Sequence, residues 1–308
     1  MWFKQVQLYQ LSKSKIFSSD ELVSKLEELA FIPCMPSMPT SAGWVPPVED
    51  NDAPLVRAMN NHVAICLQVE EKILPATVIR KELNEMIKQV ETSENRKLRQ
   101  KEKMDLKDQV VMTMLPRAFS KLTKVYGYID NTNHWLVLGT ANGKLTEKFI
   151  SLFKKSVTDD VFAPQVVKPA SIMTSWLKTQ NYPSSFAIED ACVLQDPKQE
   201  GRIVRCQQQD LFATSIQALI KDGCEVNQLA LSWHDRVNFV LANDFSLRSI
   251  QLQDELISQV KELEAETPQQ QFDADFLIMS GTYAGLLNDL LGVFLDKADN
   301  VVPMLKSA

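Results

Sequence analysis

The chain has 308 residues, 45% of them hydrophobic and 23% charged, with a formal net charge of −6. Those proportions suit a globular protein with a large core and more than one substructure, and they exclude a disordered or fibrous chain. No run of about 18 apolar residues occurs, so no membrane-spanning helix is expected, and the start, Met1-Trp2-Phe3-Lys4-Gln5, does not read as a secretory leader.

The first element expected is a strand over residues 2–11, where Phe3, Val6, Leu8 and Leu11 stand among polar neighbours. Ser18 and Glu21 then form a capping box for a helix with Leu22, Leu26 and Leu29 on one side. Pro33 stops it. The proline-rich residues 33–54 predict a loop anchored by Trp44, and residues 63–69 a short apolar strand. Pro75 opens a long helical pattern with Ile79, Leu83, Met86, Ile87 and Val90 on one face. The stripe fades over residues 91–105 and resumes at Leu106, Val110, Val111 and Met114, ending at Pro116. A helix polar all round, as over 91–105, bridges solvent or meets a partner.

The most distinctive part of the chain, from Arg96 to Lys124, begins in that faded stretch. Arg96, Lys97, Arg99, Lys101, Lys103, Lys107, Arg117, Lys121 and Lys124 are opposed in sequence only by Glu102, Asp105 and Asp108. Up to Lys155 the chain carries 22 basic and 18 acidic residues; beyond it, 11 and 21. The asymmetry points to a polyanion or a membrane surface as partner for one face. A solvated helix face is the plainer reading of such a run.

Residues 118–129 and 134–138 read as strands around the turn-forming Asp130-Asn131-Thr132-Asn133. A helix over 144–155 follows, burying Leu145, Phe149, Leu152 and Phe153. In the acidic half, 171–179 is a short helix, 186–194 and 202–206 are extended, and Asp210 caps a helix running to Lys221 with Gly223 after it. Leu229, Leu231 and Trp233 alternate, as do Val237, Phe239 and Leu241. His234-Asp235 and Asn243-Asp244 supply the turns of a meander that continues over 247–252. Helices over 254–266 and 281–294 close the chain. The pattern is α+β, with antiparallel sheets and packed helices in several subdomains, divided at 1–75, 76–170 and 171–308.

Few residues offer catalytic chemistry. The nine glycines form no phosphate-cradling motif. His62, His134 and His234 lack zinc spacing, and His234-Asp235 fits a turn better than a catalytic pair. Cys34, Cys66, Cys192, Cys206 and Cys224 include no Cys-x-x-Cys and read as reduced thiols of a cytosolic protein. In Phe272-Asp273-Ala274-Asp275-Phe276, a strand would place both carboxylates on one face and both rings on the other. Asp273 and Asp275 could then hold Mg²⁺ for phosphodiester cleavage. The basic stretch asks less, because Lys and Arg bind duplex phosphates without reading bases. No aromatics interleave Arg96 to Lys107, and no base-reading motif is present, which favours backbone contact with a duplex.

Several segments together resemble the bacterial recombination-associated RdgC family. They are Trp2-Phe3-Lys4, Ala30-Phe31-x-Pro33-Cys34, Gly43-Trp44-Val45-Pro46-Pro47, Glu70-Glu71-Lys72-Ile73-Leu74-Pro75 and Leu106-Lys107-Asp108. Leu115-Pro116-Arg117-Ala118-Phe119-Ser120, Gln209-Asp210-Leu211 and Phe272-Asp273-Ala274-Asp275-Phe276 follow in the same order, so the match runs from Met1 to about Leu291. The resemblance implies a non-enzymatic, sequence-independent double-stranded DNA-binding protein without cofactor or metal, cytoplasmic and nucleoid-associated, that limits access of the RecA recombinase to DNA. It implies a horseshoe-shaped subunit and a ring-shaped homodimer with a positive hole. The DNA-binding set would be Lys72, Arg96, Lys97, Arg99, Lys101, Lys103, Lys107, Arg117, Lys121, Lys124, Gln208 and Gln209. Phe119 would lie at one dimer contact, and Gln208 and Gln209 at the other, the gate. The family has two lysines where this chain has Gln207 and Gln208, which removes two counterion-releasing charges there. A metal-dependent nuclease using Asp273 and Asp275, and an interaction scaffold with a basic helix, are the alternatives.

Overall fold

The computed structural model describes residues 2–12, 16–50, 53–158, 160–253, 258 and 267–295. Along them run β1 (Gln7–Leu11), α1 (Ser19–Glu27), β2 (Thr40–Val45), β3 (Val56–Met59), β4 (His62–Lys72), α2 (Ala76–Ser93), α3 (Gln100–Met114), β5 (Ser120–Asp130), β6 (Trp135–Leu138) and α4 (Gly143–Val157). β7 (Val161–Phe162), α5 (Pro169–Thr179), β8 (Phe186–Asp196), β9 (Gln199–Cys206), α6 (Thr214–Lys221), β10 (Glu225–Trp233), β11 (Val237–Ala242), β12 (Leu247–Leu252) and α7 (Pro268–Phe294) complete the order. The class is α+β, with two antiparallel sheets.

The first sheet has seven strands in the order β2-β4-β5-β6-β1-β7, with β3 also on β4. β4 and β5 form its spine, eleven residues each, matched from His62 opposite Asp130 to Lys72 opposite Ser120. β4 can lie centrally because Val63, Ala64, Ile65, Cys66 and Leu67 are buried whichever face they point to. β2 and β3 follow one another along the outer side of β4. A strand at Thr40–Val45 corrects the loop expected over 33–54: the prolines pause between Pro39 and Pro46, leaving every backbone donor between them free to pair. Trp44 does anchor this segment, buried edge-on against Phe149 at 5.1 Å, with its Nε1–H donating to Ser156 Oγ at 2.9 Å.

Ser18 Oγ accepts from the Glu21 N–H at 3.4 Å and caps α1, as expected. The helix ends at Glu27, well before Pro33, because the next residues are drawn onto β2: Trp44 N–H donates to Leu29 O at 3.0 Å and Phe31 N–H to Trp44 O at 2.9 Å. At this crossing a Cβ on Gly43 would lie 2.3 Å from Phe31 Cα, so glycine is required. α1 and α4 bring Leu22, Leu26, Phe149 and Phe153 onto the sheet face that carries Ile65, Leu67, Val125 and Ile129.

The second sheet has five strands in the order β12-β11-β10-β8-β9. His234 and Asp235, at φ 48° and 53°, make the β10–β11 turn, and Arg236 N–H closes it on Trp233 O at 2.9 Å. The β12 edge is covered by the N-terminal segment, where Ile250 N–H donates to Lys4 O at 2.9 Å and Val6 pairs with Leu247. Asp210 does not cap α6. Its Oδ1 accepts from the Phe212 N–H at 2.9 Å in a local turn, and the helix starts at Thr214.

α7 ties the sheets together. Phe276 packs on Tyr128 of β5 at 5.7 Å, and Asp289 accepts from Trp233 Nε1 of β10 at 2.8 Å. Its Tyr283 hydroxyl donates to Phe3 O at 2.6 Å. Expected from residue 281, α7 begins at Pro268, where Thr267 and Gln270 form a capping box. Its 27 residues are long and apolar enough to cross a membrane. In this fold Phe276, Met279, Tyr283, Leu286, Leu287 and Leu290 are buried in the shared core. The helix expected over 254–266 lies outside the described residues.

Candidate nucleic-acid interface

Between Lys72 and Ser120 the chain leaves the sheet at the end of its two central strands and returns. The expected long helix is broken in two. α2 ends at Ser93, Asn95 adopts the left-handed region at φ 50°, and α3 begins at Gln100. The two helices pack on each other as a hairpin. The stripe from Ile79 to Val90 is only half-buried; Leu98, Val110 and Leu115 are the buried apolar side chains of the insertion.

The hairpin tip carries fewer free charges than the sequence suggests. Arg96 pairs with Glu94 at 2.7 Å and Glu102 at 2.6 Å, Lys97 with Glu91 at 2.9 Å, and Lys103 lies 3.9 Å from Glu91. Glu91 and Glu94 precede the basic run in the sequence; the turn at Asn95 folds the end of α2 back beside α3 and turns both acids onto it. Glu102 also accepts the Arg99 backbone N–H at 2.7 Å. The Arg96 hydrogen bond first, and that N–H second, hold the Glu102 carboxyl at about 2. Among the described residues, Lys72, Arg99, Lys101, Lys107, Arg117, Lys121 and Lys124 make no ion pair.

Four of these cations lie at the neck, where the hairpin meets the sheet. Arg117 closes the 3-10 turn after α3. Lys121 and Lys124, three apart on β5, point to opposite faces. Lys121 stands opposite Glu71, which Lys148 of α4 holds at 2.6 Å. That hydrogen bond first, then the charges of Lys148, Lys121 and Lys144, hold the Glu71 carboxyl below its ordinary range. Lys144 and Lys148 thus join the basic face, which sequence reasoning missed; their spacing of four on the polar side of α4 was the available signal. Lys72 and Lys124 share the other face with exposed Leu122. Farther along, that face carries Tyr128 and is covered by α7; at the neck it is open.

Exposed apolar side chains accompany these cations along the chain. Phe119 is 86% exposed, Leu122 58% and Ile73 49%. Ile73 N–H donates to Phe119 O at 2.7 Å, which sets the two residues abreast. Lys72 N–H donates to Pro39 O at 2.8 Å and brings the turn bearing exposed Met35 and Met38 alongside.

Gln208 and Gln209 are far along the chain, just past β9. Both are exposed, Gln208 at φ 54°, and Gln209 N–H donates to Asp190 O at 3.3 Å. They line an open cavity of about 460 Å³ together with Glu189, Asp190 and Asp210. Three carboxylates there make a poor seat for phosphate.

The Asp273–Asp275 reading is corrected. Residues 272–276 belong to α7, where a spacing of two sends side chains to opposite sides. Asp273 pairs with Arg57 of β3, whose Nε donates at 2.9 Å, and Asp275 accepts from Gln271 Nε2 at 2.9 Å. Phe272 and Phe276 stack one turn apart at 5.9 Å. Among the described residues no group of three or more metal-ligating side chains is gathered.

Fold and site define a two-sheet α+β protein with a cationic helical hairpin set between its central strands. A family described as "Putative exonuclease, RdgC" matches residues 1–297. The recombination-associated protein RdgC of Yersinia enterocolitica (serotype O:8) is 35% identical over 293 residues, covering 94% of this chain and 97% of that protein. Those of Yersinia pestis (strain Pestoides F) and Yersinia pseudotuberculosis (serotype O:1b) are 34% identical with the same coverage. The chain belongs to the RdgC family, and its role is related to recombination. None of these relatives carries an enzymatic name.

Proposed function

We propose that this protein is a non-enzymatic, sequence-independent double-stranded DNA-binding protein that works in the cytoplasm, on the nucleoid, as a ring-shaped homodimer of horseshoe-like subunits, and that it limits the access of a RecA-type recombinase to DNA. The observation that carries the reading is the neck, where Lys72, Arg117, Lys121 and Lys124, none of them in an ion pair, stand in the same short stretches of chain as exposed Phe119, Leu122 and Ile73. Cations without a base-reading element suit a phosphate backbone. Exposed apolar side chains beside them suit a subunit contact. Phosphate contact falls mainly to the neck and to Arg99, Lys101 and Lys107, since Arg96, Lys97 and Lys103 are engaged by carboxylates. The acidic surroundings of Gln208 and Gln209 favour a role in closing the dimer over one in holding phosphate.

The test is duplex binding over a range of salt with two duplexes of equal length and unrelated sequence. Affinity should fall with salt with a log–log slope of roughly −0.9 per phosphate neutralised, equally for both. Arg117→Glu with Lys124→Glu should weaken both alike and flatten the slope by about 0.9 for each phosphate that is no longer neutralised. A flat salt response or a marked preference for one duplex would overturn the reading. So would Mg²⁺-dependent cleavage abolished by Asp273→Ala.

A further inference from the structure

We propose that Cys192 and Cys206 are a modification site: a thiol pair that a hydroperoxide converts to a cross-strand disulfide, fixing the outer strand of the second sheet. The two are register partners, Cys192 on β8 and Cys206 on β9, and their neighbours keep step, with Val193 opposite Arg205 and Leu194 opposite Val204. Directly opposed residues of antiparallel strands have Cα atoms about 4.5–5.5 Å apart. A disulfide spans roughly 4.4–6.8 Å between Cα atoms, so the backbone need not move. Both side chains are buried in the same core as Leu194, Val226 and Leu229, which puts them on one side of the sheet. The other cysteines have no such partner: Cys66 faces Val45 and Tyr126 across its strand, and Cys34 and Cys224 lie outside the strands.

Location decides when the pair reacts. Burial first, and the neighbouring Cys206 second, push the Cys192 thiol up to about 12, so the closed sheet keeps it protonated and inert. β9 is the outer strand, with β8 on one side and no strand on the other among the described residues, and it contains Gly201 and exposed Arg202 and Ile203. Outer strands open locally more readily than central ones. When β9 opens, a thiolate attacks hydrogen peroxide; an S–O bond forms, the O–O bond breaks, and a sulfenic acid and water result. The second thiol attacks that sulfur, an S–S bond forms and a second water leaves. Two thiols lose two electrons to one peroxide and nothing else is consumed. The bond then clamps the strand that runs directly into Gln207, Gln208 and Gln209. The inference does not depend on the DNA-binding reading.

The test uses the full chain at neutral pH, treated with hydrogen peroxide, alkylated, and mapped by mass spectrometry without reduction. A peptide joining β8 to β9 through Cys192 and Cys206 should appear and be reversed by dithiothreitol. Backbone amide exchange across β9 should slow about tenfold in the oxidised protein. Cys206→Ser should abolish both effects, and Cys192→Ala serves the same purpose if the serine variant does not fold. Cysteines that stay free or over-oxidise without the joined peptide would overturn the proposal. A bond to another cysteine, or a joined peptide with unchanged exchange across β9, would do the same.

Discussion

Phe119 and Trp44 show how differently two aromatic residues can be used in one chain. Trp44 is 1% exposed and bonded to Ser156, whereas Phe119 is 86% exposed. Trp44→Ala should therefore cost about 3–5 kcal/mol of fold stability, read by denaturant unfolding. Phe119→Ala should cost less than about 0.5 kcal/mol and shift sedimentation toward a monomer. A Phe119 variant that loses several kcal/mol while its mass in solution is unchanged would remove it from any subunit contact. Trp44 could be read from the sequence as an anchor, because a lone tryptophan between prolines has few other uses. The exposure of Phe119 could not, since its neighbours, Pro116 to Lys121, fit a core turn equally well. The pairing of Arg96 with Glu94 and of Lys97 with Glu91 was also hidden, because it depends on the φ of Asn95, a backbone choice that no single residue type compels.

At the scale of elements, the hairpin tip is an electrostatic clasp. The Glu102 carboxyl lies at about 2 in the folded chain, against an ordinary 4.5. A folded value depressed in this way means that the clasp is fully present above 4.5 and is lost as pH falls through about 2. Protection of the amides over residues 94–99, taken relative to their intrinsic exchange rates at each pH, should fall across that window, and Glu102→Gln should show low protection at every pH; unchanged protection at pH 2 would show that other contacts hold the tip. Elements with one clear period were legible: the β10–β12 meander, with its His234-Asp235 turn, and α4. Residues 272–276 were not. Phe272 and Phe276 are two strand repeats apart and also one helical turn apart, so five residues satisfy both periods. The deciding signal lay upstream, in Thr267, Pro268 and Gln270, which start a helix. β2 escaped for a similar reason, since flanking prolines mask a run that itself contains none.

Across the whole molecule, α7 and the Arg57–Asp273 pair hold the two sheets in one body. Arg57 is partly exposed, so Asp273→Asn should lower stability by about 1 kcal/mol or less and leave duplex affinity at its original value, measured by melting and by binding on the same preparation. A large loss of binding with an intact fold would return Asp273 to the functional site. The α+β class and antiparallel pairing could be read from the order of elements. The course of the first sheet could not: β1 lies between β6 and β7, and that placement comes from packing between distant segments.

The helical insertion has a kinetic consequence as well. Lys72 and Ser120 are register partners nearly fifty residues apart, and closing an unstructured loop of that length costs entropy before any strand contact repays it. A hairpin formed first from neighbouring residues would bring Ile73 and Phe119 together and present both central strands at nearly the right offset. Loosening the hairpin with Val110→Asp should slow refolding more than it speeds unfolding, a signature that stopped-flow chevrons would resolve. The segment that carries these cations would then also act as the nucleus from which the larger sheet zips.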